Sequence, residues 1–499
     1  MRLLLLLLLD SWPVTAGQAA LEGLHSYDVL SYEVDAEPTE GGLRVDCRLR
    51  LRVERKGPLR FFLSAAAEGL EVTLGDQDVP SSLGTHGLDA LLELAGVAPG
   101  AVPALLTLEP TDALEAGTEA TFRLRYAWRP RPEGWFRAGK DDVETHLSGF
   151  WLPAMADESF TTTVRVRTGA AAFAPGRARR TEDGWIFESA SEEIVPLVVA
   201  DLARVEGQGC EVWLPAARLA EGELIAVDLA DVLSTLEAWF GPAGEGPFRL
   251  VLPSGHEGPS YCGGSFAVLT RSPKTRPAWI AHLAHECAHR WFGHRLRAPV
   301  VGRGGTWLTE GLAEWAGIEV AGEILGGGDA LWRDRFTRYV ARLDLRRAGD
   351  GILFANESTL LDASYIDDPR VPYLRGALVF RLLAREVGPE EFRKRLKSLM
   401  EGGPRGPLGA SDVLAATGGE ALAAYYALTT RLPDLRLEGG SIRCDDPSWP
   451  GGRVPVRIGS RTVDVEMRDG RGVLPEGDGP IEVDPDRIFL DPVRSNNLR

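Results

Sequence analysis

The chain has 499 residues, 44% of them hydrophobic and 25% charged, with 55 basic against 72 acidic side chains and a formal net charge of −17. That length is too great for one core and predicts two to four domains of ordinary soluble globular composition. The acidic excess is dispersed rather than gathered in blocks; it repels phosphate backbones, which argues against a nucleic-acid partner.

The chain opens "MRLLLLLLLDSWPVTAGQAA". A basic residue, an apolar run and then small residues predict a signal peptide over residues 1–20. On that reading the protein is secreted or extracytoplasmic; otherwise it is cytoplasmic. Seven leucines are too few to cross a bilayer, and no other long apolar run follows, so no membrane span is expected.

From residue 21 to about 205 the apolar pattern has period two. In "LRVDCRLRLRVE" Leu43, Val45, Cys47, Leu49, Leu51 and Val53 face one side and charged residues the other; "TFRLRYAW" repeats this with Phe122, Leu124, Tyr126 and Trp128. Such half-buried antiparallel strands predict an N-terminal β-sandwich-like domain. Past Gly207 the character changes. "CEVWLP", "PFRLVLP" and "GGSFAVLT" read as strands, and Ile225, Leu229, Val232, Leu233, Leu236 and Phe240 share one helical face ended by Gly241. From Pro277 to about Leu432 nearly everything reads helical, which makes residues 206–432 an α+β to all-α domain. Residues 433–499 return to strands, with a hairpin around Gly459–Ser460, and predict a small C-terminal β module. The fold class is therefore multi-domain α+β.

Cys47, Cys210, Cys262, Cys287 and Cys444 are far apart and odd in number, with no C-x-x-C. Neither a disulfide framework nor a cysteine zinc knuckle is indicated, and at least one thiol is unpaired.

Four of the eight histidines fall in "AHLAHECAHRWFGH", residues 281–294. Within it, "HECAH" is H-E-x-x-H. Side chains four apart share a helix face, so His285 and His289 can reach one metal ion, while Glu286 is offset about a third of a turn, where it can hold a metal-bound water rather than the metal. Two histidines need a third protein ligand and an open position. "TWLTEGLAEW", following a Gly-rich loop, offers Glu310 or Glu314 on a second helix. His282, one turn before His285, would close the site as a fourth ligand and reads better as a core histidine, as does His294. Cys287 points off the ligand face into the core.

"HECAHRWFGH", then "WLTEG", then "VPYLRG" resemble the H-E-x-x-H-x-W-F-G, W-L-x-E-G and Y-x-K-G motifs of the aminopeptidase N family of gluzincin zinc metallopeptidases. "FWLPAMADESF" is similar to the end of that family's first domain, and the resemblance covers most of residues 25–430. It implies a thermolysin-like catalytic domain holding one zinc ion per chain, with His285, His289 and Glu310 as ligands. It further implies Glu286 as general base, Tyr373 as oxyanion donor in preference to Tyr365, and a peptide or protein substrate. The oligomeric state is not implied. The chain departs from the pattern at several places. Twenty residues rather than eighteen separate His289 from Glu310, His294 stands for Asn or Asp, and Arg375 for Lys. Family aminopeptidases also carry G-x-M-E-N before the zinc helix, whose glutamate grips the substrate's free amine; in "YCGGSFAVLT" Gly264 falls at that position. Weak aminopeptidase action, or tolerance of blocked or internal sites, is the expectation; Glu257, a loop residue seven positions upstream, is a candidate substitute acid but reads better as solvent-facing. A zinc-retaining interaction scaffold and a hydrolase of a non-peptide substrate are the alternatives.

Overall fold

In the computed structural model the described residues are 26–84, 103–110, 114–131, 135–147, 149–154, 159–244, 246–255, 258–270, 275–298, 305–341, 343, 345–347, 353–355, 371–401, 408–418 and 420–498. The leader over 1–20, Glu257 and Tyr365 lie outside them.

The alternating segments near the N-terminus form an eight-stranded sheet centred on Tyr27–Thr39, Gly42–Val53 and Glu119–Trp128. Gly42–Val53 pairs antiparallel with both others, so Cys47 lies opposite Val34 on one side and Leu124 on the other. Every apolar residue named above on these strands is buried, because a side-chain period of two puts them all on one face. That face shares a core with the antiparallel pair Leu59–Ser64 and Pro103–Leu108, and with Trp151 and Leu197. One pairing is parallel: Tyr27–Thr39 runs beside Phe160–Val166, which closes the sheet across a long stretch of chain.

The second body begins with a five-stranded sheet ordered Ala203–Gly207, Cys210–Leu214, Phe248–Val251, Phe266–Val268, Tyr261–Cys262. Leu219–Phe240 is the long amphipathic helix expected from the sequence, and it ends at Gly241, whose φ of 77° suits glycine. The histidine helix, Arg276–Ala288, and the carboxylate helix, Gly305–Leu325, pack beside this sheet, followed by helices Gly328–Val340, Gly376–Val387 and Pro389–Glu401. The carboxylate helix is apolar on almost every face, with Trp307, Leu308, Leu312, Trp315, Ile318 and Val320 all buried, as a helix surrounded by core must be.

The helical run is interrupted where none was expected. Leu345–Arg347 and Leu353–Ala355 are strands that pair with each other and then with Arg431–Leu432. After that, Gly452–Ile458 and Arg461–Met467 form the hairpin read around Gly459–Ser460. Leu435, Ile442, Val454, Val456 and Phe489 join the same continuous core as the helices, so the C-terminal strands brace the helical region rather than hang from it. All five cysteines are buried and free. Among the described residues no helix is long and apolar enough to cross a membrane.

Candidate metal centre

The histidine helix is fixed at both ends. Asp228, buried on the long helix, accepts hydrogen bonds from Trp279 Nε1 at 3.0 Å and Arg276 Nη2 at 2.7 Å near the first turn. At the other end Trp291 Nε1 donates to Gly241 O at 3.0 Å, and Phe292 packs edge-on against Phe240 with ring centroids 5.1 Å apart. The tryptophan and phenylalanine of "RWFG" are thus anchors that set where His289 comes off the helix end.

The two helices approach backbone to backbone. A Cβ on Gly317 would lie 2.5 Å from Ala281 O and 3.2 Å from His285 Cβ, so only glycine lets the carboxylate helix come this close. A second such contact joins Gly311 to Gly376, where a Cβ on Gly311 would lie 3.1 Å from the other glycine's Cα. Gly376 follows the π-helical turn Val371–Arg375 that carries Tyr373. Arg375, fully buried, donates to Tyr426 O at 2.8 Å and to Thr429 O, tying that turn to the end of the helix Glu420–Leu428.

These constraints bring His285, His289 and Glu310 together. Their Nε2, Nε2 and Oε2 atoms form a nearly equilateral triangle: 3.2 Å between the nitrogens, 3.4 Å from His285 to Glu310 and 3.3 Å from His289 to Glu310. A four-coordinate ion with bonds of ~2.0–2.1 Å places its donors about 3.3 Å apart. The donor set therefore fits zinc in kind and in size. His289 Nδ1 lies 3.0 Å from Phe292 O, which fixes the proton there and leaves Nε2 as a lone-pair donor. Glu310 Oε2 is buried and accepts no hydrogen bond, an arrangement that costs free energy unless a cation answers it.

The electrostatics agree. Burial pushes the Glu310 carboxyl up, but the His289 and His285 imidazoles overcome it and hold the group well below the carboxylate range. Burial opposes a charge on His285, yet Glu310 and Glu314 outweigh it and lift the imidazole to about 10. The carboxylates around the triangle thus favour a positive charge within it. Glu286 is buried beside the triangle without belonging to it; burial raises its carboxyl, against the pull of His285 and His289.

The structure separates the two acids that the sequence left as rivals. Glu310 faces Nε2 of His285, whereas Glu314 lies on the Nδ1 side, 3.1 Å away, with its other oxygen 2.6 Å from Arg335 Nε. His282 and His294 stand outside the triangle. Burial lowers both to about 4, and each has a polar neighbour: Ser260 Oγ at 3.1 Å from His282 Nε2, Cys262 O at 3.3 Å from His294 Nε2. Tyr373 is half-buried, its ring parallel to that of His285 with centroids 5.7 Å apart. Arg335 and Gly317 were not singled out from the sequence. The contacts they make come from separate helices and leave no local pattern.

Residues 268–417, which span both helices and the Tyr373 turn, match the Peptidase family M1 domain. This span is an M1 peptidase domain. Its motifs are those of an aminopeptidase N-like gluzincin, a family of zinc-dependent metallopeptidases. The fold is similar to that of an M1 zinc metallopeptidase from Deinococcus radiodurans, with 19% identity, a TM-score of 0.59, and 81% of this chain and 94% of that one covered. A variant of that enzyme bound to a Tyr-Ser-Ala substrate matches with 19% identity, a TM-score of 0.58, and 82% and 96% covered. Yeast LTA4 hydrolase in complex with bestatin matches with 14% identity, a TM-score of 0.60, and 78% and 64% covered. No curated protein matches the chain by sequence.

Proposed function

We propose that the protein hydrolyses peptide bonds near peptide N-termini, using one zinc ion per chain, with a weak hold on the substrate's free amine. His285, His289 and Glu310 are the residues that would hold the ion, and the triangle of donors with 3.2–3.4 Å edges carries the reading. When bound, zinc supplies the Lewis acidity that polarises the scissile carbonyl and acidifies water. The remaining work falls to the chain.

Glu286 takes a proton from the attacking water as its oxygen bonds to the carbonyl carbon. The same carboxyl then delivers that proton to the amine nitrogen as the carbon–nitrogen bond breaks. The high proton affinity that burial gives it suits both transfers. Tyr373 donates its hydroxyl to the oxyanion that forms at the tetrahedral stage, and the parallel His285 ring keeps the phenol in place.

The weak amine hold rests on the edge hairpin beside the site. Tyr261–Cys262 turns back into Phe266–Val268 through Gly263, Gly264 and Ser265. Gly264 has a φ of 76°, and a Cβ there would lie 3.3 Å from the His294 ring; a Cβ on Gly263 would lie 2.6 Å from the Phe266 ring. Neither position accommodates the acid that aminopeptidases of this family carry.

The test is metal dependence of peptide cleavage. Purified protein should contain about one zinc per chain, cut a defined peptide mixture, stop with a chelator and resume when zinc is restored. Folded, metal-supplemented protein that contains no zinc ends the proposal.

A further inference from the structure

Behind the metal triangle lies a buried ion pair that the reaction scheme above does not use. Glu314 sits one turn after Glu310 on the carboxylate helix, its side chain 10% exposed. One of its oxygens approaches His285 Nδ1 to 3.1 Å, in a contact that is short but bent away from the ring's N–H direction. The other meets Arg335 Nε at 2.6 Å, and Arg335 reaches in from the next helix, Gly328–Val340. A buried carboxylate costs several kcal/mol of desolvation unless it is paired, so Glu314 is held here by two partners at once.

The two histidines of the triangle are therefore braced in different ways. A neutral backbone carbonyl, Phe292 O, faces His289 Nδ1 at 3.0 Å. A full carboxylate faces His285 Nδ1. A carboxylate on the far nitrogen of an imidazole fixes its tautomer and makes the near nitrogen a stronger donor. The guanidinium of Arg335 withdraws part of that charge and locks the carboxylate's direction.

We infer that Glu314 is a positioning residue for metal binding, orienting and strengthening His285 as a donor, and that Arg335 sets how much of its charge the imidazole feels. The inference rests on the proposed zinc site and deepens it. Glu314 itself makes no bond to the ion, since it lies on the side of the ring opposite Glu310.

The experiment measures zinc affinity of the whole protein by chelator competition, together with the visible spectrum of the cobalt(II)-substituted form and the melting of the metal-free form. Glu314→Ala should weaken zinc binding by about ten- to a hundredfold and shift the cobalt spectrum. Glu314→Gln, which keeps the shape and an acceptor oxygen, should recover part of that loss. Arg335→Met should retain zinc at least as tightly as the native protein while melting earlier when metal-free, because the carboxylate loses only its counter-charge. Native affinity and an unchanged cobalt spectrum in both Glu314 variants overturn the inference. So does equal loss in Ala and Gln accompanied by an equal fall in metal-free melting, which assigns Glu314 to packing alone. If the native protein binds no zinc, the proposed function falls first; if it binds zinc and the Glu314 variants bind it equally well, only this inference falls.

Discussion

The helix pair around the metal triangle and the edge hairpin beside it lie in the same part of the fold, yet glycine does opposite things in them. On the helices, Gly317 and Gly311 remove side chains so that two backbones can meet and three ligand atoms converge. On the hairpin, Gly263 and Gly264 remove side chains so that the chain can reverse, and on the proposed reading the place of a substrate-holding acid is lost with them. The first arrangement concentrates chemistry and the second empties a position of it. Catalysis should therefore be sensitive at the helices and substrate anchoring weak at the hairpin.

The largest effect belongs to Glu286. Glu286→Gln keeps the volume and removes the proton shuttle, so turnover should fall by about a thousandfold or more, within the reach of general acid–base catalysis. Zinc content should be unchanged, because the carboxyl stands outside the donor triangle. Loss of metal from folded protein, read by elemental analysis, would reverse that assignment. Tyr373→Phe comes next: deleting one hydroxyl should lower kcat by about a hundred- to a thousandfold with little change in KM. The competing Tyr365→Phe should leave kcat near native, and the opposite pattern in steady-state kinetics exchanges the two tyrosines.

A smaller effect tests whether backbone approach builds the triangle. Gly317→Ala places a methyl 2.5 Å from Ala281 O, a contact that one helix must yield to. Overpacking of this kind costs about 1–3 kcal/mol, and the shift falls on the turn that carries His285. The variant should melt earlier and bind zinc more weakly than the native protein. Native melting and affinity together would mean that the helices slide freely, and that the glycine contact does not set the ligand geometry.

How far the sequence foretold all this differs between elements for physical reasons. Alternation on Gly42–Val53 and Glu119–Trp128 is a local signal, and it gave the buried faces residue by residue. The parallel pairing of Tyr27–Thr39 with Phe160–Val166 is set by contacts far along the chain, and no local period encodes it. The strands Leu345–Arg347 and Leu353–Ala355 were read as helix for the same reason: three residues show no period, and their outer partner is Arg431–Leu432. At the candidate metal centre, the convergence of His285 and His289 was legible from their spacing of four residues. Glu310 and Glu314 were not separable by spacing, since both lie on one face a turn apart. The two nitrogens of the His285 ring tell them apart, and that needs the second helix in place.

The smallest expected effect lies at the hairpin and concerns the substrate's amine. A protonated amine held in a partly desolvated site gains a charge-assisted bond only where an ionised carboxylate can meet it. Gly264 offers none. Of the acids around the hairpin, Glu286 is the one assigned to proton transfer in the proposed mechanism. Glu192 is engaged by Ser189 Oγ at 2.6 Å, and burial raises it to about 7, so at neutral pH it is only partly charged. Glu144 is fully buried, with its charge felt by the buried hydroxyl of Tyr261. Peptides with free N-termini should therefore be cut at most about tenfold faster than their N-acetylated counterparts, a difference near 1.4 kcal/mol in kcat/KM. The measurement compares the two forms of each peptide in one mixture, with products identified by mass. A preference of about a thousandfold, or ~4 kcal/mol, would require an ionised anchor after all. Glu257→Gln, Glu192→Gln and Glu144→Gln would then be compared, and the variant that loses the preference while still cutting acetylated peptides identifies that anchor.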